Sequence, residues 1–126
     1  MVMTNMPRYL ALLVLAAVMV ASGPARAHAL LQKTIPAVGA EVSPGPASLR
    51  LHFSEGIELA FSGVAIAMAD GVAITPRSLT LDPADDATLV VSLSAPLAPG
   101  QYEVAWHVVS VDTHKTQGHY GFAVKP

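Results

Sequence analysis

The chain has 126 residues, with 7 Lys and Arg against 9 Asp and Glu and a formal charge of −2, which leaves no basic surplus for nucleic acid or an anionic membrane. It has no cysteine, so thiolate zinc, haem-thiolate and disulfide chemistry are excluded, and a domain of this size must be held by its core alone.

The first element is a targeting signal. Met1 to Tyr9 carries one positive side chain, Arg8, and Leu10 to Val20 is an unbroken apolar run. Eleven apolar residues are too few to span a bilayer as a helix, which needs about 20, so the run reads as an export signal covering residues 1–27. Ala25-Arg26-Ala27 has the A-x-A form of a cleavage site, and cutting after Ala27 makes His28 the first mature residue. Ala27-His28-Ala29 has the same form, and cutting there would discard His28. The first site lies closer to the apolar run and is preferred, leaving 99 residues, 28–126, as one domain. Arg8 and Arg26 leave with the signal, so Lys and Arg fall to 5 and the formal charge to −4.

Beyond His28 the pattern is short and two-periodic, with no long amphipathic helix. Leu49-Arg50-Leu51-His52-Phe53 alternates as a half-buried strand does. Gly63 to Met68 is a small apolar run, Thr88 to Leu93 is rich in β-branched and aliphatic residues, and Tyr102-x-Val104-x-Trp106-x-Val108 puts large apolar groups on one face. A last strand runs from Tyr120 through Phe122 to Val124. Turn signals at Ser43-Pro44-Gly45-Pro46, Asp70-Gly71, Asp82-Pro83 and Pro99-Gly100 separate them. About seven short strands at about 8–12-residue intervals predict an all-β antiparallel sandwich in preference to a barrel.

The candidate chemistry lies near the end of the chain. In Ser110-Val111-Asp112-Thr113-His114, residues two apart in extended backbone point to one side, so a carboxylate and an imidazole converge. Alone, the pair also reads as an Asp that starts a turn beside an exposed His. His28 shifts that balance. An amino-terminal histidine offers its α-amine and its ring Nδ1, which close a chelate ring on a metal, and Asp112 with His114 completes three nitrogens and an oxygen. A tetragonal N,O set without sulfur suits Cu(II).

The mature start at His28, the strand end His52-Phe53-Ser54-Glu55, the following Phe61-Ser62-Gly63 and the closing Trp106-x3-Ser110-x-Asp112-Thr113-His114-x3-Gly118-x-Tyr120-x-Phe122 together resemble the CopC family of periplasmic copper proteins. The resemblance covers essentially the whole mature chain. It implies a seven-stranded Greek-key β-sandwich, cupredoxin- or immunoglobulin-like, holding one Cu(II) through His28, Asp112 and His114. Glu55 stands where some members carry a further carboxylate, and is expected to orient a ligand or a water, or to bind the metal weakly. The resemblance also implies a non-enzymatic role in copper resistance, buffering or supply. A CopD-type inner-membrane copper transporter is the expected partner, and handover to it is expected to be intermolecular.

Some family members bind Cu(I) through a methionine-rich loop, yet the corresponding stretch here, Ala67 to Thr75, holds only Met68. Met68 is therefore read as a gap-filling core or edge residue and no Cu(I) site is expected. Trp106 is read as core. His52 and His107 have the polar phase of their strands and are expected on the surface, while His119 is read either as a surface residue or as a group approaching the copper. Two other functions stay open: a copper monooxygenase built on the same histidine chelate, which an anionic Asp112 ligand disfavours, and a metal-free interaction module, which cleavage after Ala29 would favour.

Overall fold

The computed structural model describes residues 29–126; the signal segment and His28 lie outside the described residues. Strands occupy Leu31–Ile35 (β1), Glu41–Val42 (β2), Ser48–Phe53 (β3), Gly63–Met68 (β4), Ala73–Ile74 (β5), Ser78–Asp82 (β6), Asp85–Ser92 (β7), Gly100–Val109 (β8) and Lys115–Val124 (β9), with a 3-10 turn at Leu59–Phe61. Seven of these are five residues or longer, and β2 and β5 are two-residue pairings on the edges of one sheet.

The strands form two sheets, β1-β3-β7-β6 and β2-β9-β8-β4-β5. The chain passes repeatedly from one sheet to the other, as a Greek-key sandwich requires. All strand pairs are antiparallel except the short β2–β9 contact, which is parallel.

Alternation explains which face is covered. Along β8, Tyr102, Val104, Trp106 and Val108 are buried, while Glu103, Ala105 and His107 face out. Opposite them, β3 contributes Leu49, Leu51 and Phe53, and β7 contributes Leu89 and Val91. Phe53 meets Trp106 edge to face with ring centroids 5.1 Å apart, which locks the two sheets together near one end. At the other end Tyr102 stacks on Phe122, and its hydroxyl donates to the Ala98 carbonyl at 2.6 Å. Met68 packs at the edge of this core.

The expected turns fall between strands. Pro83 and Ala84 alone separate β6 from β7, with the Ala84 N–H donating to Asp82 Oδ1 at 2.8 Å. At Asp70-Gly71 the glycine takes φ +94°, a left-handed conformation that glycine adopts without penalty.

Candidate metal centre

The β8–β9 connection is Ser110 to His114, and its shape follows from one serine. Ser110 continues the inward phase of β8 and is fully buried. Its N–H donates to the His114 carbonyl at 2.9 Å, and the Thr113 N–H donates to the Ser110 carbonyl at 2.8 Å, closing a tight turn. The Ser110 hydroxyl donates to the Asp112 carboxylate, while the His114 N–H donates to the same hydroxyl at 3.3 Å. Thr113 takes φ +71°, which few non-glycine residues occupy.

Asp112 and His114 do come together: Oδ1 of one lies 3.2 Å from Nδ1 of the other. The reason differs from the expectation. The segment is a turn with a left-handed residue at Thr113, so the two side chains converge through curvature and not through the pleat of an extended strand. Both remain accessible, with side-chain exposures of 35% for Asp112 and 46% for His114. The hydrogen bond from Ser110 holds the Asp112 carboxyl below the usual carboxylate range, and the His114 ring adds to this against the opposing effect of burial. Asp112 is thus kept as an anion, the form a metal requires.

A second connection braces the turn. Between β3 and the 3-10 turn, the Gly56 carbonyl accepts from the Val111 N–H at 2.9 Å, Ile57 bridges Ser110, and the Glu58 N–H donates to the Val109 carbonyl at 2.8 Å. A Cβ at position 56 would lie 2.8 Å from the carboxylate of the exposed Asp86, so a larger residue there requires that side chain to move. Glu55, in this same connection, continues the inward phase of β3. Its Oε2 is buried with no hydrogen-bond partner among the described residues. A buried carboxylate oxygen is costly to leave unpaired unless a donor beyond the described residues meets it.

The chain enters the fold at the same end. Ala29 is fully buried, and its carbonyl accepts from the Thr116 hydroxyl at 2.9 Å, two residues past His114. Leu30 is held to Ser54 twice, its N–H donating to the hydroxyl at 2.8 Å and its carbonyl accepting from the Ser54 N–H at 2.9 Å. His28 itself lies outside the described residues.

His119 stands apart from this cluster. It faces out from β9, four residues beyond Lys115 and so about 13 Å along the strand at about 3.3 Å per residue, with Nδ1 3.0 Å from Glu103 Oε1. His52 lies on the outer face of the other sheet, held by the Thr88 hydroxyl at 2.8 Å and by Asp85 at 3.1 Å. His107 is exposed, as its phase predicts.

Ser110 and Thr116, whose hydroxyls tie this end of the fold together, were given no role of their own by sequence reasoning. Both carried a signal, since each is a hydroxyl in the inward phase of an otherwise apolar strand.

Fold and site together describe a small β-sandwich that presents a carboxylate and an imidazole at one end, beside the start of its first strand. A family model, the CopC domain, matches residues 31–125. The chain is 46% identical over 99 residues to Protein YobA of Escherichia coli (strain K12), covering 79% of this chain and 80% of that one. It is 37% identical over 115 residues to Copper resistance protein C of Pseudomonas syringae pv. tomato, covering 87% and 90%. Among solved structures it resembles PcoC, a methionine-rich copper resistance protein from Escherichia coli, with a TM-score of 0.71 and 31% identity over 79% of this chain and all of that one. The chain belongs to the CopC family.

Proposed function

We propose that this protein binds one Cu(II) per chain in the periplasm and buffers or delivers it in copper resistance, without catalytic turnover. The observation that carries the reading is the Asp112–His114 pair, 3.2 Å apart, at the end where the Thr116 hydroxyl holds Ala29. On this reading the α-amine and ring of His28 supply two nitrogens, His114 a third, and Asp112 an oxygen. Such a hard and borderline donor set favours Cu(II), while the single methionine among the described residues, Met68, sits at the core edge and offers no thioether cluster for Cu(I). Glu55 has the unpaired oxygen expected of a group that waits for a cation or for the chain's amine. Two relatives, named Copper resistance protein C and PcoC, support copper as the cargo. A membrane copper transporter of the CopD type is the proposed recipient.

The test is a Cu(II) titration of processed protein followed by electron paramagnetic resonance. One equivalent in a nitrogen-rich tetragonal site is expected, lost in His28→Ala and in His114→Ala. One residue added before His28 turns the amine into an amide and should weaken binding by about 100-fold or more, since losing even an outer partner of a ligand costs about 10–100-fold. Equal affinity for the extended and native chains would overturn the reading.

A further inference from the structure

The outer face of the five-stranded sheet carries two histidines that the site above does not use. In the β8–β9 ladder His107 pairs with Gln117 and Ala105 pairs with His119, so the two imidazoles are diagonal neighbours on one face. Residues so related lie about 7–8 Å apart, within reach of one another's side chains. Gly63, Ala65, Ala105 and Gly118 line the same shallow depression as both rings, with Gln117, the cross-strand partner of His107, beside them.

Each ring is prepared differently. His119 has a side chain 75% exposed and places Nδ1 3.0 Å from Glu103 Oε1. A carboxylate accepting from Nδ1–H fixes the tautomer in which the far nitrogen, Nε2, carries a lone pair, the arrangement in which histidines bind metals. Glu103 pairs with Gly121, on the side of His119 away from His107, and it is met by Nδ1, so Nε2 is not the nitrogen engaged by Glu103. His107 lies over Gly63, with Cε1 2.5 Å from where a Cβ would stand. Its ring therefore lies on the β4 side of β8, and because it is exposed it is free to change rotamer; sharing a metal with His119 requires it to turn back across β8.

We propose that His107 and His119 form a second, exchangeable site for a divalent transition metal, Cu(II) above all, with Glu103 as the positioning residue for His119. The described residues hold no group of three or more His, Asp or Glu donors that could hold a metal ion, so the site is a pair of imidazoles whose remaining positions are filled by water. A borderline nitrogen pair open to solvent favours Cu(II) by the divalent affinity order and releases it readily. The site is independent of the His28 reading, because it uses none of the same residues.

The probe is Cu(II) itself, added to the full processed chain beyond one equivalent, with the imidazole C–H resonances followed by nuclear magnetic resonance. The second equivalent is expected to broaden His107 and His119 together. His107→Asn and His119→Gln should each weaken that second step at least about tenfold, and Glu103→Gln about tenfold, the lower end for losing a ligand's outer partner. The first equivalent should be unchanged in all three. Broadening of neither ring, or a second step unaltered by His107→Asn, would overturn the proposal. A His114→Ala chain separates the two readings, since it should lose the first step and keep the broadening at His107 and His119.

Discussion

Gly118→Ala tests whether the sheets are locked as described. Gly118 faces Trp106 across the β8–β9 ladder, and a Cβ there would stand 2.7 Å from Cζ2 and 3.0 Å from Cε2 of the indole. That is about 0.7 Å short of ordinary contact at 3.4 Å, and the indole has little room to retreat because Phe53 abuts it edge to face at 5.1 Å. Overpacking of a well-filled core costs about 1–3 kcal/mol. Restricting the unfolded chain returns about 0.4–1 kcal/mol of this. The net loss, about 0–2.6 kcal/mol and centred near about 1.3 kcal/mol, lowers the melting temperature of a domain this size by about 5–10 °C at its centre. Circular dichroism reads the transition, and Trp106, the only tryptophan, reports the displaced ring by fluorescence. In a Trp106→Phe background the methyl no longer meets Cζ2, so the same substitution should cost less, with a coupling of at least about 0.5 kcal/mol. Undiminished stability in Gly118→Ala, or an equal cost in both backgrounds, would refute this account of the packing.

Three further outcomes follow from the structure. Leu51→Ala, at a fully buried position, should cost about 2–5 kcal/mol and lower the melting temperature by about 10–30 °C in a thermal scan. Thr88→Val removes the hydroxyl whose hydrogen bond, ahead of the Ala87 N–H, holds the Asp85 carboxyl below its ordinary range. A depressed carboxylate contributes stability above its unfolded value of about 3.9 and loses it as the pH falls through the folded one, so the gap in melting temperature between wild type and Thr88→Val should be full at neutral pH and shrink below about 4. Ser110→Ala removes the hydroxyl that joins Asp112 to the His114 backbone, and Cu(II) affinity by competition titration should fall about 10–100-fold, as for other outer partners, with both proposed ligands intact.

How far the fold could be read depended on whether alternation was clean. β8 and β3 have large apolar groups at every second position, and the sequence marks both. β1, Leu-Gln-Lys-Thr-Ile, does not alternate cleanly, because its register against β3 shifts between Leu31 and Lys33. β7 begins at Asp85, three residues before the apolar stretch that announces it, since Asp85 and Asp86 serve the turn and the neighbouring loop before the strand goes inside. In the site, Asp112 and His114 were legible as residue types. Their convergence was expected too, but from the pleat of an extended strand; it arises instead from the left-handed Thr113 and the buried hydroxyl of Ser110, neither of which a period-two argument contains. The outward phase of His107 was read from its strand, whereas His119 was left between the surface and the copper, and the diagonal relation of the two needed the β8–β9 register.

That register also bears on how a chain terminus, where fraying concentrates, can take part in a metal site. Fixing a flexible segment on binding costs ordering free energy that subtracts from affinity. Here the ordering is already done from Ala29 onward: Ala29 is buried, Thr116 holds its carbonyl, and Ser54 holds Leu30 on both sides of the peptide. On the copper reading the metal need then hold only residue 28 itself. Thr116 is the joint between the two halves, since it sits on the strand that begins just after His114. Thr116→Val keeps the shape and deletes the hydrogen bond to Ala29, so it separates the two contributions: Asp112 and His114 stay as they are, and any loss of Cu(II) affinity measures what pinning the chain entry is worth.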